Sequence, residues 1–299
     1  MNNATATSDG SIGHVMDTSL WVATYRARES LRADALFHDP CAGLLSGERG
    51  EKIADAMPNS AAAGWSVVIR TCVIDQYILT CVNPFVGGAG VRTIVNLGCG
   101  LDTRPYRLAL PADLVWIEVD YPDIIRLKND KLAGMATSCK LERIAVDLAD
   151  ASARQNFLKG VGARTGAVLV LTEGVLPYLS NKNVAELADD LVAQKNICFW
   201  IVDYFSPLFL KIKRTGKLAR KLKNAPFLFE PRDWHGFFRE HGWVLSEIRY
   251  LFAEGKARHR SPPTSWIMKG ILFFASGARR KAMEQMMGYT LLKRGPKST

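Results

Sequence analysis

The chain lacks the marks of several protein classes. Its 299 residues hold six cysteines, Cys41, Cys72, Cys81, Cys99, Cys139 and Cys198, and no two form a C-x-x-C pair. Neither a disulfide framework nor a thiolate metal site is expected. The five histidines, His14, His38, His235, His241 and His259, include no H-E-x-x-H, so no zinc site of that kind is expected. No window offers the roughly 20 apolar residues that a bilayer span requires. The most apolar stretch, 66–86, contains Arg70 and Asp75, and 197–212 contains Asp203 and Pro207. Residues 1–13 hold no lysine or arginine and no apolar run, unlike a secretory leader. A soluble, reduced, cytoplasmic protein is expected, with no metal site of its own and no stable membrane insertion.

What is present is ordinary in bulk and uneven in charge. Apolar residues make up 48% and charged residues 23%, enough for a sizeable core. The length suggests about two domains or one large α/β domain with insertions, and one domain over 1–299 is expected. It divides into a helical cap (11–90), a sheet core (91–204), an insertion (205–232) and closing strands with a helix (233–299). The net charge is +10, from 39 basic and 29 acidic residues, which points toward an anionic partner. Yet seven of the basic residues lie in 211–223, which has no acid. There Leu210, Leu218 and Leu222 interleave with Lys213, Lys217, Arg220 and Lys221, the pattern of a basic amphipathic helix. Outside that segment the charges nearly balance.

Residues 15–82 read as helical. Segments 30–36 and 60–80 carry apolar side chains at three- and four-residue spacings, punctuated by Pro40 and Pro58. From Thr93 the rhythm changes. Short apolar runs recur at 93–97, 114–119, 141–146, 167–171 and 197–202. Strands alternating with longer segments imply βαβ units and a parallel sheet buried on both faces. Residues 243–250 and 289–292 are expected as sixth and seventh strands, with a helix over 265–287 between them.

The most informative stretch is Val95-Asn96-Leu97-Gly98-Cys99-Gly100-Leu101-Asp102-Thr103-Arg104. A strand runs into Gly98-x-Gly100 and then toward a helix. Glycine lets the backbone turn tightly there and lets a ligand come close. Twenty residues after Gly100 stands Asp120, at the end of Trp116-Ile117-Glu118-Val119-Asp120. An acid at the tip of the second strand is placed to accept both hydroxyls of a ribose. A nicotinamide fingerprint wants a third glycine, which lets a helix N-terminus meet a pyrophosphate. Here that position is Thr103, followed by Arg104 and Pro105, and no Walker lysine is present. The turn fits an adenosine cofactor without phosphates, with S-adenosylmethionine the leading candidate. A glycine turn used only for packing is the alternative, with Asp102 and Arg104 as a structural pair bracing it.

The run Asn-Leu-Gly-Cys-Gly-Leu-Asp-Thr-Arg-Pro-Tyr-Arg-Leu, 96–108, closely resembles the signature of the leucine carboxyl methyltransferase-like family. That family is a branch of the class I S-adenosylmethionine-dependent methyltransferases. It includes protein phosphatase carboxyl methyltransferases and bacterial O-methyltransferases of polyketide-type small molecules. Other pieces match in order: Arg28-Glu29-Ser30, Leu36-Phe37-His38-Asp39-Pro40, Arg70, Glu118-Val119-Asp120-Tyr121-Pro122 and Val146-Asp147-Leu148. Thr172-Glu173-Gly174-Val175-Leu176-Pro177-Tyr178-Leu179 and His241-Gly242-Trp243 complete the set. The resemblance implies an α/β, Rossmann-like sheet of about seven strands with helices on both faces, an N-terminal helical cap and a lid after the fifth strand. It also implies S-adenosylmethionine as cofactor, with S-adenosylhomocysteine as its product. Arg70 would bind the methionine carboxylate and Glu173 its ammonium, one cation and one anion for a zwitterion. Gly98 would let the backbone approach, with Cys99 and Gly100 completing the turn. Asp120 would hold the ribose beside Tyr121, Asp147 and Leu148 would edge the adenine, and Gly174 would follow Glu173 at the site. Tyr178 would lie near the acceptor. Arg26 and Arg28 both qualify as the family's second cation. On the residues alone, Arg70 also reads as a surface charge, Asp147 as a turn cap and Tyr178 as plain core.

A carboxylate acceptor is already ionised and needs no base, whereas a phenol or alcohol is helped by one. Candidate bases are His235, just after the basic insert, and then His38 or Tyr178. The expected acceptor is a small molecule of specialised metabolism. Protein C-terminal carboxyl methylation and a silent cofactor-binding protein are the alternatives. The insert carries Tyr204, Phe205, Phe209, Phe227 and Phe229 around its cations. A carrier protein or anionic substrate is its candidate contact, and a solvated face or a membrane surface are the other readings. A nucleic-acid methyltransferase is not expected: the loop after the fourth strand reads Thr172-Glu173-Gly174-Val175, not the proline-aromatic loop that grips a flipped base. Homo-oligomerisation stays open.

Overall fold

Three helices, α1 (Val15–Ser30), α2 (Ala42–Asp55) and α3 (Ser60–Val82), precede the alternating part of the chain. Then follow β1 (Val91–Leu97), α4 (Arg104–Arg107), β2 (Val115–Asp120), α5 (Pro122–Lys131), β3 (Lys140–Ala145), α6 (Ala151–Gly162) and β4 (Ala167–Thr172). A 3-10 turn at Leu176–Tyr178, α7 (Asn181–Ala193), β5 (Ile197–Phe205) and α8 (Pro207–Lys213) come next. The chain closes with a helix at Trp234–Glu240, β6 (Trp243–Tyr250), helices at Leu251–Ala257 and Gly277–Glu284, and β7 (Met287–Arg294). The computed structural model describes residues 15–57, 60–83, 90–213, 227–263 and 276–296.

The strands form one sheet in the order β3-β2-β1-β4-β5-β7-β6. The first five strands run parallel, and β7 inserts antiparallel between β5 and β6. This is the seven-strand α/β sheet expected. Side chains alternate between its faces. Ile94, Leu169, Leu171 and Ile201 meet Ile69, Val73, Ile74 and Ile78 of α3. Val95, Leu97, Val170, Trp200 and Val202 meet Leu158 of α6, Leu187 and Leu191 of α7, and Phe238. Among the described residues α3 alone has the length and apolar content of a membrane span. Here that apolar surface packs against the sheet.

The strand order reverses at β1 and β4, so the crevice at their carboxyl ends is where a ligand fits an open α/β sheet. Two of the expected site residues stand there, Gly98 just past β1 and Glu173 just past β4. The α1–α2 pair roofs this end: Leu20, Ala23, Leu45 and Ile53 form a cluster that includes Leu101 of the glycine loop.

Several boundaries differ from expectation. Residues 31–36 are not helical, because α1 stops at Ser30. The Glu29 carboxylate accepts the Leu36 N–H at 2.8 Å and Ser30 Oγ accepts the Asp39 N–H at 2.7 Å. Those local bonds satisfy the backbone better than a helix can beside Pro40. The helix after the glycine turn is one turn long, closing at Leu108. β2 and β3 sit one residue off. β5 runs three residues beyond 202, since β7 pairs Asp203 with Tyr289 and Phe205 with Met287. Of the helix expected over 265–287, residues 265–275 lie outside the described residues, Gly277–Glu284 is helical and Met287 already belongs to β7. Most of the basic insert, 214–226, lies outside the described residues.

Candidate functional site

The glycine loop is built by its own strand tips. Gly98 and Gly100 take φ of +66° and +47°, the left-handed region that glycine enters without penalty. A Cβ on Gly98 would lie 2.6 Å from Val175 Cγ2, so only glycine fits between the β1 and β4 loops. Gly100 N donates to Asp120 Oδ2 at 2.7 Å, and Tyr121 N donates to Oδ1 at 2.8 Å. Burial raises the Asp120 pKa, while these backbone bonds and Lys128 pull it down. Asp120 therefore fastens the glycine turn to the second strand tip. Thr103, standing where a third glycine would be, donates from Oγ1 to Asp39 Oδ2 at 2.6 Å. Arg26 Nε reaches the same carboxylate at 2.8 Å and its Nη2 reaches Leu101 O at 2.5 Å. Arg28 instead pairs at the surface with Glu51 and Asp55. Of the two arginines, Arg26 lies against the glycine loop and Arg28 lies at the surface.

Arg70 and Glu173 meet, Nε to Oε1, at 2.8 Å. Arg104 Nη1 donates to Glu173 Oε2 at 2.8 Å and to Asp102 Oδ2 at 2.6 Å, while its Nε donates to Asp75 Oδ1 at 2.7 Å. Arg107 closes on Asp75 with both Nη atoms. Asp102 and Arg104 are therefore the bracing pair, within a larger network. Arg70 is no surface charge: it is mostly buried. Its Nε has no aligned hydrogen-bond partner among the described residues. A Cβ on Gly174 would meet nothing within 4 Å. A buried cation, a buried carboxylate and open space therefore adjoin one another.

Burial alone would raise the Glu173 and Asp102 carboxyls. The cations together outweigh it, Arg104 with Arg70 for Glu173 and Arg104 with Lys128 for Asp102, and both stay below the usual range. Asp39 is held low as well, by Arg26 against burial. A carboxyl whose folded pKa is depressed stabilises the fold above its unfolded value, roughly pH 4. That stability is lost as pH falls through the folded value. Urea unfolding at successive pH is therefore expected to show stability dropping steeply from pH 5 to 2. A flat profile there would contradict the network.

Asp203 completes the crevice, and the sequence reading missed it. Its carboxylate accepts the Gly174 N–H at 3.0 Å and the Tyr289 hydroxyl at 2.7 Å. Burial pushes it up to about 6, against the Tyr289 bond and Arg70. The signal was available: two neighbouring apolar strands each run into an acid, Glu173 and Asp203. Asp203 also lines a cavity of about 290 Å³ with Leu176, Tyr204, Phe205, Phe229 and Trp234. Phe227 stacks on Phe205 and meets the Tyr178 ring edge-on, so both flanks of the basic insert return to this cavity. Burial pushes the Tyr178 phenol up to about 12, which removes it as a base at neutral pH. His235 is exposed at the cavity rim, stacked on Tyr204. His38 is exposed on the segment between α1 and α2. Asp147 caps its own turn by accepting the Ala149 N–H at 2.9 Å, and its charge adds to burial in raising the Tyr121 phenol. Leu148 packs against the core below. Lys128 was also missed. Fully buried, it bonds Glu118 Oε1 at 2.8 Å and Asp102 O at 2.7 Å under the loop.

A family model for leucine carboxyl methyltransferase matches residues 19–192. A Frankia alni protein named "Putative S-adenosyl-L-methionine-dependent methyltransferase" is 31% identical over 267 residues, 85% of this chain and 92% of its own. A Mycolicibacterium smegmatis protein of the same description is 34% identical over 254 residues, covering 77% and 82%. The crystal structure of a DUF574 family protein from Streptomyces avermitilis shares the fold at a TM-score of 0.56 and 15% identity, over 92% of this chain and 97% of that one. With its glycine turn, acidic strand tips and arginine-braced Glu173 in family order, the chain belongs to the leucine carboxyl methyltransferase family of class I S-adenosylmethionine-dependent methyltransferases.

Proposed function

We propose that this protein is an O-methyltransferase that moves a methyl group from S-adenosylmethionine to an oxygen of a small-molecule acceptor. The observation that carries the reading is the aromatic-walled cavity beside the Glu173–Gly174 turn. At about 290 Å³ it has the size of a site for one small ligand. A protein tail would need a longer groove.

The residues proposed to hold the cofactor fit it. The Arg70–Glu173 pair offers one charge of each sign to a zwitterion, and Arg70 Nε, ion-paired with Glu173 without an aligned hydrogen bond, is proposed to turn toward the cofactor's carboxylate. Gly98, Cys99 and Gly100 bring the backbone close, Gly174 leaves room, and Asp120 has lone pairs left for a ribose. Tyr121, Asp147 and Leu148 are proposed for the adenine side. When bound, S-adenosylmethionine supplies an electrophilic methyl group on a positively charged sulfur. The chain's own work is to align the acceptor and to exclude water. Phe205 and Phe229 line the cavity on the side of the basic insert, and Phe227 stacks on Phe205 and meets Tyr178 edge-on beside it. A carrier protein or an anionic part of the substrate is the proposed contact of segment 211–223.

The test is transfer of a labelled methyl group to a panel of phenols, alcohols, small carboxylic acids and C-terminal peptides. Labelled small molecules are expected. Label on peptide C-termini alone would replace this reading with protein carboxyl methylation. Cofactor binding without transfer to any acceptor would make the chain a silent binder.

A further inference from the structure

We propose that the acceptor is a neutral hydroxyl on an aromatic ring and that Asp203 takes its proton; this rests on the methyltransferase reading above. The argument starts from charge. Asp203 is 3% exposed, at the tip of β5, on the cavity wall. Two donors hold its carboxylate, the Gly174 N–H and the Tyr289 hydroxyl, and neither neutralises it. Among the described residues no lysine or arginine forms an ion pair with it. Arg70 acts on it, but Arg70 is already engaged with Glu173.

Glu173 is balanced by Arg70 and Arg104, so an acceptor carboxylate entering this corner would meet Asp203 as a second negative charge with no ion-pair partner among the described residues. In a dry site such crowding is costly. A hydroxyl brings a donor instead, and Asp203 has lone pairs left to receive it. The ring follows from the walls: Tyr204, Phe205, Phe229 and Trp234 surround the same space and favour a flat apolar partner.

The groups that act on Asp203 come from every element around it. They are Tyr289 on β7, Arg70 on α3 and Glu173 at the β4 tip, while Tyr178 on the 3-10 turn shares its field with Arg70. Arg232, Asp233 and His235 lie on the cavity lining. Burial makes Asp203 a stronger base than a surface aspartate while leaving it ionised at neutral pH. In the transfer, the acceptor O–H bond breaks and its proton passes to Asp203. The acceptor oxygen forms the new O–CH3 bond. The old S–CH3 bond breaks and sulfur keeps its electron pair. Asp203 then releases the proton to solvent.

The experiment uses the full chain with S-adenosylhomocysteine and 4-nitrophenol as probe. The visible spectrum reports whether the bound phenol carries its proton. A carboxylate beside it disfavours phenolate, so the bound probe is expected to ionise at least one pH unit above its free value. In Asp203→Asn that displacement is expected to vanish, with S-adenosylhomocysteine affinity kept within about threefold. Methyl transfer to phenols is expected to fall at least 100-fold in the same variant. Wild-type kcat/KM is expected to rise with pH through an acid limb near 6, which Tyr289→Phe moves upward because it removes a bond that holds Asp203 down. That variant keeps the carboxylate and so tests the idea even if Asp203→Asn does not fold. No binding of the phenol, an unchanged displacement in Asp203→Asn, or preference for carboxylic acids overturns the proposal. Failure of the wild type to bind S-adenosylhomocysteine overturns instead the methyltransferase reading on which it rests.

Discussion

Replacing Arg104 by leucine is expected to lower the unfolding free energy by about 3–5 kcal/mol, the range for removing one partner from a buried ionic cluster. Arg104 is nearly inaccessible and bridges three carboxylates that are themselves mostly buried: Asp75, Asp102 and Glu173. Leucine fills much of the volume and leaves those charges with Arg107, Lys128 and Arg70 as partial compensation. Arg104→Lys is expected to recover less than half of the loss, because an ammonium is a point charge and cannot fork toward three acceptors. Arg28→Ala serves as the contrast. Its partners Glu51 and Asp55 are half exposed, so less than about 1 kcal/mol is expected. Urea denaturation measures all three, with midpoint and slope read together. A second signature follows from linkage. Without Arg104, the Glu173 and Asp102 carboxyls no longer sit below their ordinary range, so the defect of Arg104→Leu is expected to shrink between pH 7 and 5 as they take up protons. A loss below about 1 kcal/mol at pH 7 would mean that the cluster is not what holds the two loops together.

This network also marks where sequence reading stops. The glycine turn and Asp120 are legible because strand, turn and acid lie within 30 residues and each carries a local signal. The Asp102–Arg104 pair is legible for the same reason. Its other partners, Asp75 and Glu173, lie 29 and 69 residues from Arg104, and no period or motif connects them. Lys128 on α5 reads like any charge on a helix, yet it is buried against Glu118, which the same reading placed in an apolar strand. The sheet was legible from its continuous apolar runs. The tip of β5 was not, because Asp203-Tyr204-Phe205 breaks the run, and only pairing with β7 carries the strand onward. That one misplaced boundary hid Asp203 and left the exposed His235 as the leading base. The rule that recovers it is physical: an acid at the end of a buried parallel strand stands at the crevice, so every such acid belongs to the candidate site, whether or not a motif contains it.

Gly98→Ala is expected to weaken S-adenosylhomocysteine binding at least 100-fold while leaving the chain folded. Two costs act together. At φ +66° an alanine is strained by about 1 kcal/mol or more. Its Cβ would also stand 2.6 Å from Val175 Cγ2, far inside contact distance. Val175 is β-branched and stiff at its one side-chain torsion, so relief must come from moving the turn that carries it. That turn holds Glu173 and Gly174, and a shift of about 1 Å there misplaces the carboxylate proposed for the cofactor's ammonium. The two costs separate by a double-mutant cycle. Val175→Ala in the Gly98→Ala background removes the clash but not the strain, and is expected to recover most of the affinity. Gly134→Ala is the matching control, because its φ of +77° is as strained while its Cβ would meet nothing within 4 Å and it lies outside the proposed site. It is expected to cost stability but much less affinity than Gly98→Ala. Isothermal titration with S-adenosylhomocysteine reads wild type, Gly98→Ala, Val175→Ala, the double variant and the control. Equal losses for Gly98→Ala and Gly134→Ala, with no recovery in the double variant, would show that backbone strain alone decides binding. The close packing of the β1 and β4 loops would then carry no role in shaping the site.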